Sequence, residues 1–269
     1  VFLPPKGFAS AQMDMFVAED VGLNKFDILS QRGLGHIREA LRLIRENKGH
    51  DINIHYFENF RKDPAINRQI RKADNIVCFY IESPAMRQLL KKLRCDDYIT
   101  LVAASSIIRP GVAQSGMMRE YIYRYHNRDK IEYLHPLFEE HLSETFGVMV
   151  FQEDVIKIAH YFAQLDLGEA DILRRAMSGK YRSNNQFLQI KQKFFSNCRE
   201  KGYSDELARE VYRQIQSFAG YSFCKAHSAS YSVESYQSLF LKTYYPLEFS
   251  VAVINNFGGF YRPEVYIHE

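Results

Sequence analysis

Three basic residues gather at the end of one predicted helix. Arg174 and Arg175 fall in its last turns, and Lys180 follows after Ser178 and Gly179. Such a group of guanidinium and ammonium ions can neutralise a triphosphate or the backbone of DNA. The alternative is a helix C-terminus that is stabilised by its own positive charges. The spacing by itself is compatible with both interpretations.

A second set of polar side chains lies in the loop predicted at residues 220–228. Lys225 and His227 precede Ser228, a residue type that caps helices, and a helix is predicted to follow. The free N–H groups at a helix start can bind a phosphate. A structural histidine beside a simple capping serine is the alternative interpretation.

Asp27 lies in a short alternating segment, residues 25–29, that predicts a strand. Phosphoryl transfer uses carboxylates to hold two Mg²⁺ ions about 3.5–4 Å apart, so an acid on a rigid strand can supply one shared ligand. An ordinary solvent-facing acid is the alternative. No Asp-x-Asp strand accompanies Asp27 in this sequence. We therefore expect an incomplete metal site that holds no ion by itself.

The charge of the chain changes sign abruptly. Residues 129–171 include ten acidic and two basic side chains, whereas residues 172–201 include eight basic and one acidic side chain. Four aromatic residues are interleaved with the basic run: Tyr181, Phe187, Phe194 and Phe195. This mixture suits phosphate contacts combined with stacking on bases. A solvated helix face is the alternative interpretation.

Helical periodicity dominates the elements that must position these groups. One helix is predicted to follow Gly33 and Gly35 and to close near Gly49, while Gly33-Leu34-Gly35 itself predicts a turn. Further helices are predicted over residues 84–93, 155–162, 168–177, 205–218 and 228–244. The apolar run from residue 101 to 116 does not distinguish helix from strand. We predict a mainly α fold with a few short strands near the start and middle (α+β).

Composition excludes several classes of protein. The 269 residues are 46% hydrophobic and carry a formal charge of only +3, which argues against a disordered chain and gives no signal for a membrane or nucleic-acid partner. The four cysteines form no CxxC pair or zinc-ligand spacing, which is typical of a reducing compartment. No signal peptide or membrane-length apolar run is present. We expect a cytoplasmic protein and, since the sequence starts without Met, a piece of a longer chain.

Six segments, in this order, carry a resemblance to a known family. They are GLNKFDILSQRGL (22–34), FYIESPAMRQLLKKL (79–93), IIRPGVAQSGMM (107–118), GVMVFQEDVIKIA (147–159), LGEADILRRAMSGK (167–180) and FAGYSFCKAHSASYSVESYQSLFLKTYYPLEF (218–249). With these motifs the chain resembles the alpha subunits of bacterial DNA polymerase III, the C-family replicative polymerases. The motifs cover nearly the whole chain.

The resemblance implies two domains. Residues 1–32 resemble the C-terminal part of a palm similar to polymerase-beta-type nucleotidyltransferases, and residues 33–269 resemble the helical fingers domain attached to its last strand. Asp27 matches the third metal-binding aspartate of that palm, and so it is the expected catalytic residue. The family's Asp-x-Asp motif and its thumb, phosphoesterase-like and clamp-binding regions do not occur in this sequence. The resemblance therefore implies that the fragment alone is inactive.

In the fingers, the resemblance implies a pocket for the incoming nucleotide. Arg174, Arg175 and Lys180 match the family's basic helix, and Arg109 and the loop with Lys225, His227 and Ser228 match further members of the pocket. Lys191 and Lys193 are candidates for contacts with the DNA backbone. One departure is Lys180-Tyr181-Arg182, because family members commonly have two adjacent lysines there.

The resemblance implies that the parent chain is a DNA-directed DNA polymerase. It would transfer a nucleotidyl group from a dNTP to a primer 3′-hydroxyl with two Mg²⁺ ions. Its partners would be primer–template DNA, dNTP, a sliding clamp and a proofreading exonuclease. An error-prone paralogue is an alternative, because residues 255–266 look more like those enzymes. A non-catalytic helical module that binds nucleic acid is the alternative for the isolated fragment.

Overall fold

The computed structural model describes residues 2, 3, 5, 7–24, 26, 31–108, 116–177, 185–219 and 224–269. The chain divides into two compact units, residues 1–32 and residues 33–269. Among the described residues of the first unit, helix α1 (Met15–Asp20) is capped by Asp14, whose carboxylate accepts a hydrogen bond from the N–H of Val17 at 2.9 Å. Apart from Phe26, the strand predicted over residues 25–29 lies outside the described residues.

All regular secondary-structure elements assigned in the described part of the second unit are helices. Its α-helices are α2 (Arg32–Lys48, which starts one residue before the unit), α3 (Pro64–Lys72), α4 (Pro84–Leu93), α5 (Tyr98–Ile107), α6 (Met117–His126), α7 (Pro136–Leu142), α8 (Gln152–Ala163), α9 (Leu167–Met177), α10 (Asn185–Glu200), α11 (Asp205–Ala219), α12 (Lys225–Tyr244), α13 (Pro246–Asn255) and α14 (Pro263–His268). Single 3₁₀ turns lie at Phe57–Asn59, Arg128–Lys130 and Ser143–Thr145.

The predicted mainly α character is confirmed, but the short strands expected near the middle are absent from the described part of the chain. The apolar segment before α8 shows why. Val150 and Phe151 are buried, and their N–H groups donate to the carboxylate of Asp154 at 2.8 and 2.9 Å. A helix-capping acid thus satisfies the backbone that a strand partner would otherwise satisfy.

Two other predictions about helix starts are wrong. Gly33 and Gly35 lie inside the first turns of α2 and not in a turn, and at Gly33 neighbouring side chains approach too closely for a β-carbon. Helix α12 begins at Lys225, three residues before the predicted start, and its N-cap is Cys224, whereas Ser228 lies one turn inside the helix. The predicted caps of α4 and α9, by Ser83 and Asp166, are confirmed.

Helix α12 occupies the centre of the second unit and packs against α3, α5 and α13. Its buried face includes four serines: Ser228, Ser232, Ser235 and Ser238. The opposing helix α5 is buried from Thr100 to Ile107 and includes two alanines and two serines in succession at residues 103–106. Small side chains on both helices permit close approach. The same composition explains why periodicity failed to assign α5, since a helix buried on all sides has no polar stripe.

Helices α8, α9, α10 and α11 pack against one another in a second cluster. Phe162 of α8 and Phe194 of α10 are fully buried there, and the ring of Phe162 stacks on Tyr203 with a centroid distance of 4.6 Å. Because α9 packs against the other three helices, its C-terminal turn is held in a fixed direction.

Candidate nucleotide-binding site

Both arginines at the end of α9 bind one carboxylate. Arg174 Nε donates to Asp171 Oδ1 at 2.9 Å, and Arg175 Nε donates to Asp171 Oδ2 at 2.7 Å. Partial burial favours a raised pKa for Asp171, but the hydrogen bonds from Arg175 and Arg174 outweigh it and hold the pKa below the usual value. Asp171 therefore stays charged at neutral pH and leaves one net positive charge at this helix end.

The two arginines differ in accessibility. The side chain of Arg174 is 19% exposed and that of Arg175 is 60% exposed. Arg175 therefore presents the more accessible guanidinium to an anion, while Arg174 is held against the helix surface. An exposed ion pair contributes little to stability, so a phosphate can compete with Asp171 at low cost.

Lys193 and Lys191 lie on α10, beside a different part of α9. The Lys193 ammonium is 2.6 Å from Glu169 Oε1, and this hydrogen bond raises the pKa of Lys193. The Lys191 ammonium lies 5.5 Å from the centroid of the Tyr212 ring. Glu169 is in the first turn of α9, so its contact with Lys193 lies about 8 Å along the helix axis from the arginines. The structure thus keeps the two predicted sets of cations apart.

Lys225 is anchored at the start of α12 by two glutamates. Its backbone N–H donates to both carboxylate oxygens of Glu153, at 3.1 and 2.9 Å, and its ammonium is 2.6 Å from Glu144 Oε2. The same ammonium lies 5.4 Å from the centroid of the Phe151 ring. The helix start predicted to bind a phosphate therefore already binds an anion of the protein itself. A phosphate here would have to displace or share with Glu153.

His227 and Ser228 are the other predicted members of this loop. The His227 ring lies 4.1 Å from the ring of Tyr231, centroid to centroid. Ser228 is fully buried, and its hydroxyl is 2.5 Å from that of Ser106 on α5. The Ser228 hydroxyl therefore faces α5 and not solvent.

Two side-chain contacts bring together the described residues that flank two loops. Ser106 at the end of α5 contacts Ser228 near the start of α12, and the Ser217 hydroxyl near the end of α11 lies 3.6 Å from the sulfur of Met117 at the start of α6. The described residues on both sides of 109–115 therefore lie beside the described residues on both sides of 220–223. Arg109 lies within the first of these stretches. Like Lys180 and Asp27, it is outside the described residues.

A polar cavity of about 280 Å³ lies where α6 and α11 meet, beside Met117 and Ser217. It is also lined by Arg124 of α6 and Arg213 of α11. Both arginines have carboxylate partners on their own helices, Glu120 at 2.6 Å and Glu210 at 2.7 Å. Neither arginine was predicted from the sequence. No local motif marks them, because they come together only where α6 approaches α11 at Met117 and Ser217.

Neither a metal site nor a membrane span occurs in the part of the chain that is described. No group of three or more His, Cys, Asp or Glu side chains in the described ranges is arranged to hold a metal ion. The described residues therefore do not supply the ligand set that two Mg²⁺ ions need. Within the same ranges, no helix combines the length and apolar character required to cross a bilayer.

Comparisons with known proteins agree with the motifs. Residues 33–202 match the model of the family described as "Bacterial DNA polymerase III alpha subunit finger domain". The chain is 36% identical to "DNA polymerase III subunit alpha" of Aquifex aeolicus over 93% of this chain and 21% of the relative. It is 36% identical to "Error-prone DNA polymerase" of Methylococcus capsulatus over 96% of this chain and 24% of the relative.

A third relative, "DNA polymerase III subunit alpha" of Staphylococcus aureus, is 36% identical over 92% of this chain and 23% of the relative. The chain thus spans less than a quarter of the length of these relatives. The family match covers more than half of the chain and includes α9 with its two arginines. The resemblance inferred from the motifs is confirmed, and the chain belongs to the bacterial DNA polymerase III alpha subunit finger-domain family.

Proposed function

We propose that this chain is part of a DNA-directed DNA polymerase and that its second unit binds the incoming dNTP. The parent enzyme transfers a nucleotidyl group from the dNTP to a primer 3′-hydroxyl. The observation that carries the proposal is the paired contact of Ser106 with Ser228 and of Met117 with Ser217. It brings described residues that flank 109–115 beside described residues that flank 220–223, next to a polar cavity, in a chain of the finger-domain family.

The cations have separate roles in this proposal. Arg175 is the exposed group that contacts the triphosphate. Arg174 also pairs with Asp171, so the single negative charge of that carboxylate does not neutralise both arginines. Lys180, Arg109, Lys225 and His227 complete the pocket. Bidentate guanidinium–phosphate contacts are stronger than the exposed Asp171 pair that they replace. Lys191 and Lys193 bind the DNA backbone of the primer–template.

Nucleotidyl transfer of this kind uses two Mg²⁺ ions. We propose Asp27 as one of their ligands and residues 1–32 as the end of the palm. This chain by itself is expected to be inactive.

The pocket is tested by Arg175→Ala in the full-length enzyme. Loss of the exposed guanidinium should raise the KM for dNTP about tenfold, since a charge-assisted hydrogen bond to phosphate contributes about 1.5–3 kcal/mol. Steady-state primer extension at varied dNTP concentration measures it. Arg199→Ala is the matched control, because Arg199 is 65% exposed and pairs with Asp205 at 3.1 Å. An unchanged KM and rate for Arg175→Ala would refute the assignment.

An error-prone polymerase is the second candidate. The identity to a relative with that name equals the identity to relatives named as replicative subunits, 36% in each case. Extension opposite an abasic site by the full-length enzyme separates the two. Efficient bypass favours the error-prone candidate, and a stop before the lesion favours the replicative one.

A further inference from the structure

Glu234 lies in the middle of α12 as a buried carboxyl group with an unsatisfied oxygen. The residue is 6% exposed, and its Oε1 has no hydrogen-bond partner among the residues that the structure describes. Glu82 is equally buried, but its carboxylate accepts hydrogen bonds from Val77, Phe260 and Tyr266. Burial without compensation raises the pKa of Glu234 to about 7. An apolar side chain would fill this position at lower cost.

The group that faces Glu234 is the first turn of α2. A β-carbon on Gly33 would lie 2.1 Å from Glu234 Oε1 and 2.5 Å from the ring of Phe79. Glycine at position 33 is therefore required by the approach of these two side chains. The carboxyl group of α12 and the backbone of α2 are in direct contact at this point.

The other end of α2 has a similar arrangement. Lys48 Nζ is 3.5 Å from Glu248 Oε1 at the start of α13. Glu248 is 4% exposed, and its second oxygen also has no hydrogen-bond partner within the described residues. Two buried glutamates thus contact the two ends of the same helix. They differ in what they contact, since one meets a lysine and the other meets a glycine backbone.

We propose that Glu234 is a positioning residue that fixes the first turn of α2 on α12. The proposal rests on the proposed polymerase function. Asp27 lies six residues before Gly33 in the sequence, a reach of at most about 20 Å. A displacement of the first turn of α2 therefore acts on the segment that carries the proposed metal ligand. Lys225 is held separately, by Glu144 and Glu153. Glu234 should thus affect the rate of nucleotidyl transfer more than dNTP binding.

The test compares Glu234→Ala, Glu234→Gln and the matched control Glu248→Ala in the full-length enzyme. Hydrogen exchange of the peptide that covers the first turns of α2 measures the contact. Primer extension at varied dNTP concentration measures kcat and KM. We expect Glu234→Ala to speed exchange about tenfold and to lower kcat about tenfold, with KM within twofold of wild type. Glu234→Gln keeps the shape of the side chain, so kcat and KM should stay within twofold of wild type and exchange should not become faster. Glu248→Ala should leave kcat unchanged.

The two measurements separate the possible failures. Unchanged exchange in Glu234→Ala overturns the positioning contact, whatever the activity is. Faster exchange together with an unchanged kcat, or a kcat that falls equally in Glu248→Ala, overturns the link to the reaction. A full-length wild type that extends no primer refutes the proposed function and with it the effect on kcat, while the exchange data still decide whether Glu234 holds α2.

Discussion

The end of α9 and the middle of α12 each contain an acidic side chain, but the surroundings shift the pKa values of the two carboxyl groups in opposite directions. At α9, Asp171 lies between two arginines at the surface and has a lowered pKa. At α12, Glu234 is buried against a glycine and has a raised pKa. The first group is stabilised as an anion and the second is destabilised as one.

At the end of α9, the arginines can exchange Asp171 for another anion, whereas the contact of Glu234 with Gly33 has no such alternative. Exposed ion pairs contribute about 0–1 kcal/mol, so a phosphate can replace Asp171 without unfolding the helix. The Glu234 carboxyl group lies so close to Gly33 that a larger side chain at position 33 would have to displace Glu234, Phe79 or the backbone. Ligand binding therefore suits the first region, and the fixing of geometry suits the second.

Gly33→Ala should have the largest effect, because it attacks the buried contact directly. The added methyl group would lie 2.1 Å from Glu234 Oε1 and 2.5 Å from the Phe79 ring. The cost of this overpacking should exceed the gain of about 1 kcal/mol that alanine brings in helix propensity. We therefore expect a net loss of about 3 kcal/mol in the free energy of unfolding. Urea denaturation followed by circular dichroism measures it.

Gly35→Ala is the matched control on the same helix. There the new β-carbon would meet only the side-chain oxygen of Asn256, at 3.0 Å. The end of this side chain can shift, at the cost of weakening its hydrogen bond to the Ala252 carbonyl at 2.8 Å, so the free energy of unfolding should stay within about 1 kcal/mol of wild type. Equal losses in the two variants would mean that α2 rejects any side chain near its start and that Glu234 has no special part in it.

Such close contacts explain which features of the fold could be predicted from sequence. Helices with an apolar stripe and a local cap, such as α4 with Ser83 and α9 with Asp166, depend on neighbours in the chain and were predicted correctly. Gly33 was misassigned to a turn because its requirement comes from Glu234, 201 residues away in the sequence. A glycine that makes room for a distant side chain has the same local signature as one that makes a turn.

The residues of the candidate site also differ in whether their contacts are local in the sequence. Arg174 and Arg175 could be predicted as neighbours because both lie at one helix end, and their shared partner Asp171 lies about one turn away. Arg124 and Arg213 could not be predicted, since they line one cavity only because α6 and α11 approach each other in the fold. Ser228 has the sequence context of a capping residue, but its buried contact with Ser106 of α5 is not visible in the sequence.

Glu234→Gln should have the next largest effect, and it depends on pH. The pKa of Glu234 is about 7 in the folded protein and 4.5 as its ordinary value. The folded protein thus binds this proton more tightly than the unfolded chain, so the contribution of Glu234 to stability falls as pH rises from about 4.5 to about 7. Gln does not titrate. Relative to wild type, the variant should therefore gain stability between these limits, by no more than about 3 kcal/mol.

Thermal or urea unfolding of both proteins at pH 4.5, 6 and 8 measures this gain. Other titrating groups are shared by the two proteins and cancel in the difference. A constant difference across this range would show that Glu234 is not desolvated in the folded state. The contrast with α9 would then disappear.

Asp171→Asn should have the smallest effect on stability and the opposite pH dependence. The pKa of Asp171 is held below its usual 3.8, so its stabilising contribution is present above that pH and is lost as pH falls through the folded-state value. We expect a loss of about 1 kcal/mol at pH 7 that vanishes in acid, because Arg175 is exposed and Arg174 and Asp171 are partly exposed. Since the variant releases Arg174 and Arg175 from their carboxylate, the KM for dNTP in the full-length enzyme should fall. A KM that rises instead would mean that Asp171 orients the arginines for the nucleotide, and the end of α9 would then resemble the α12 contact in fixing geometry.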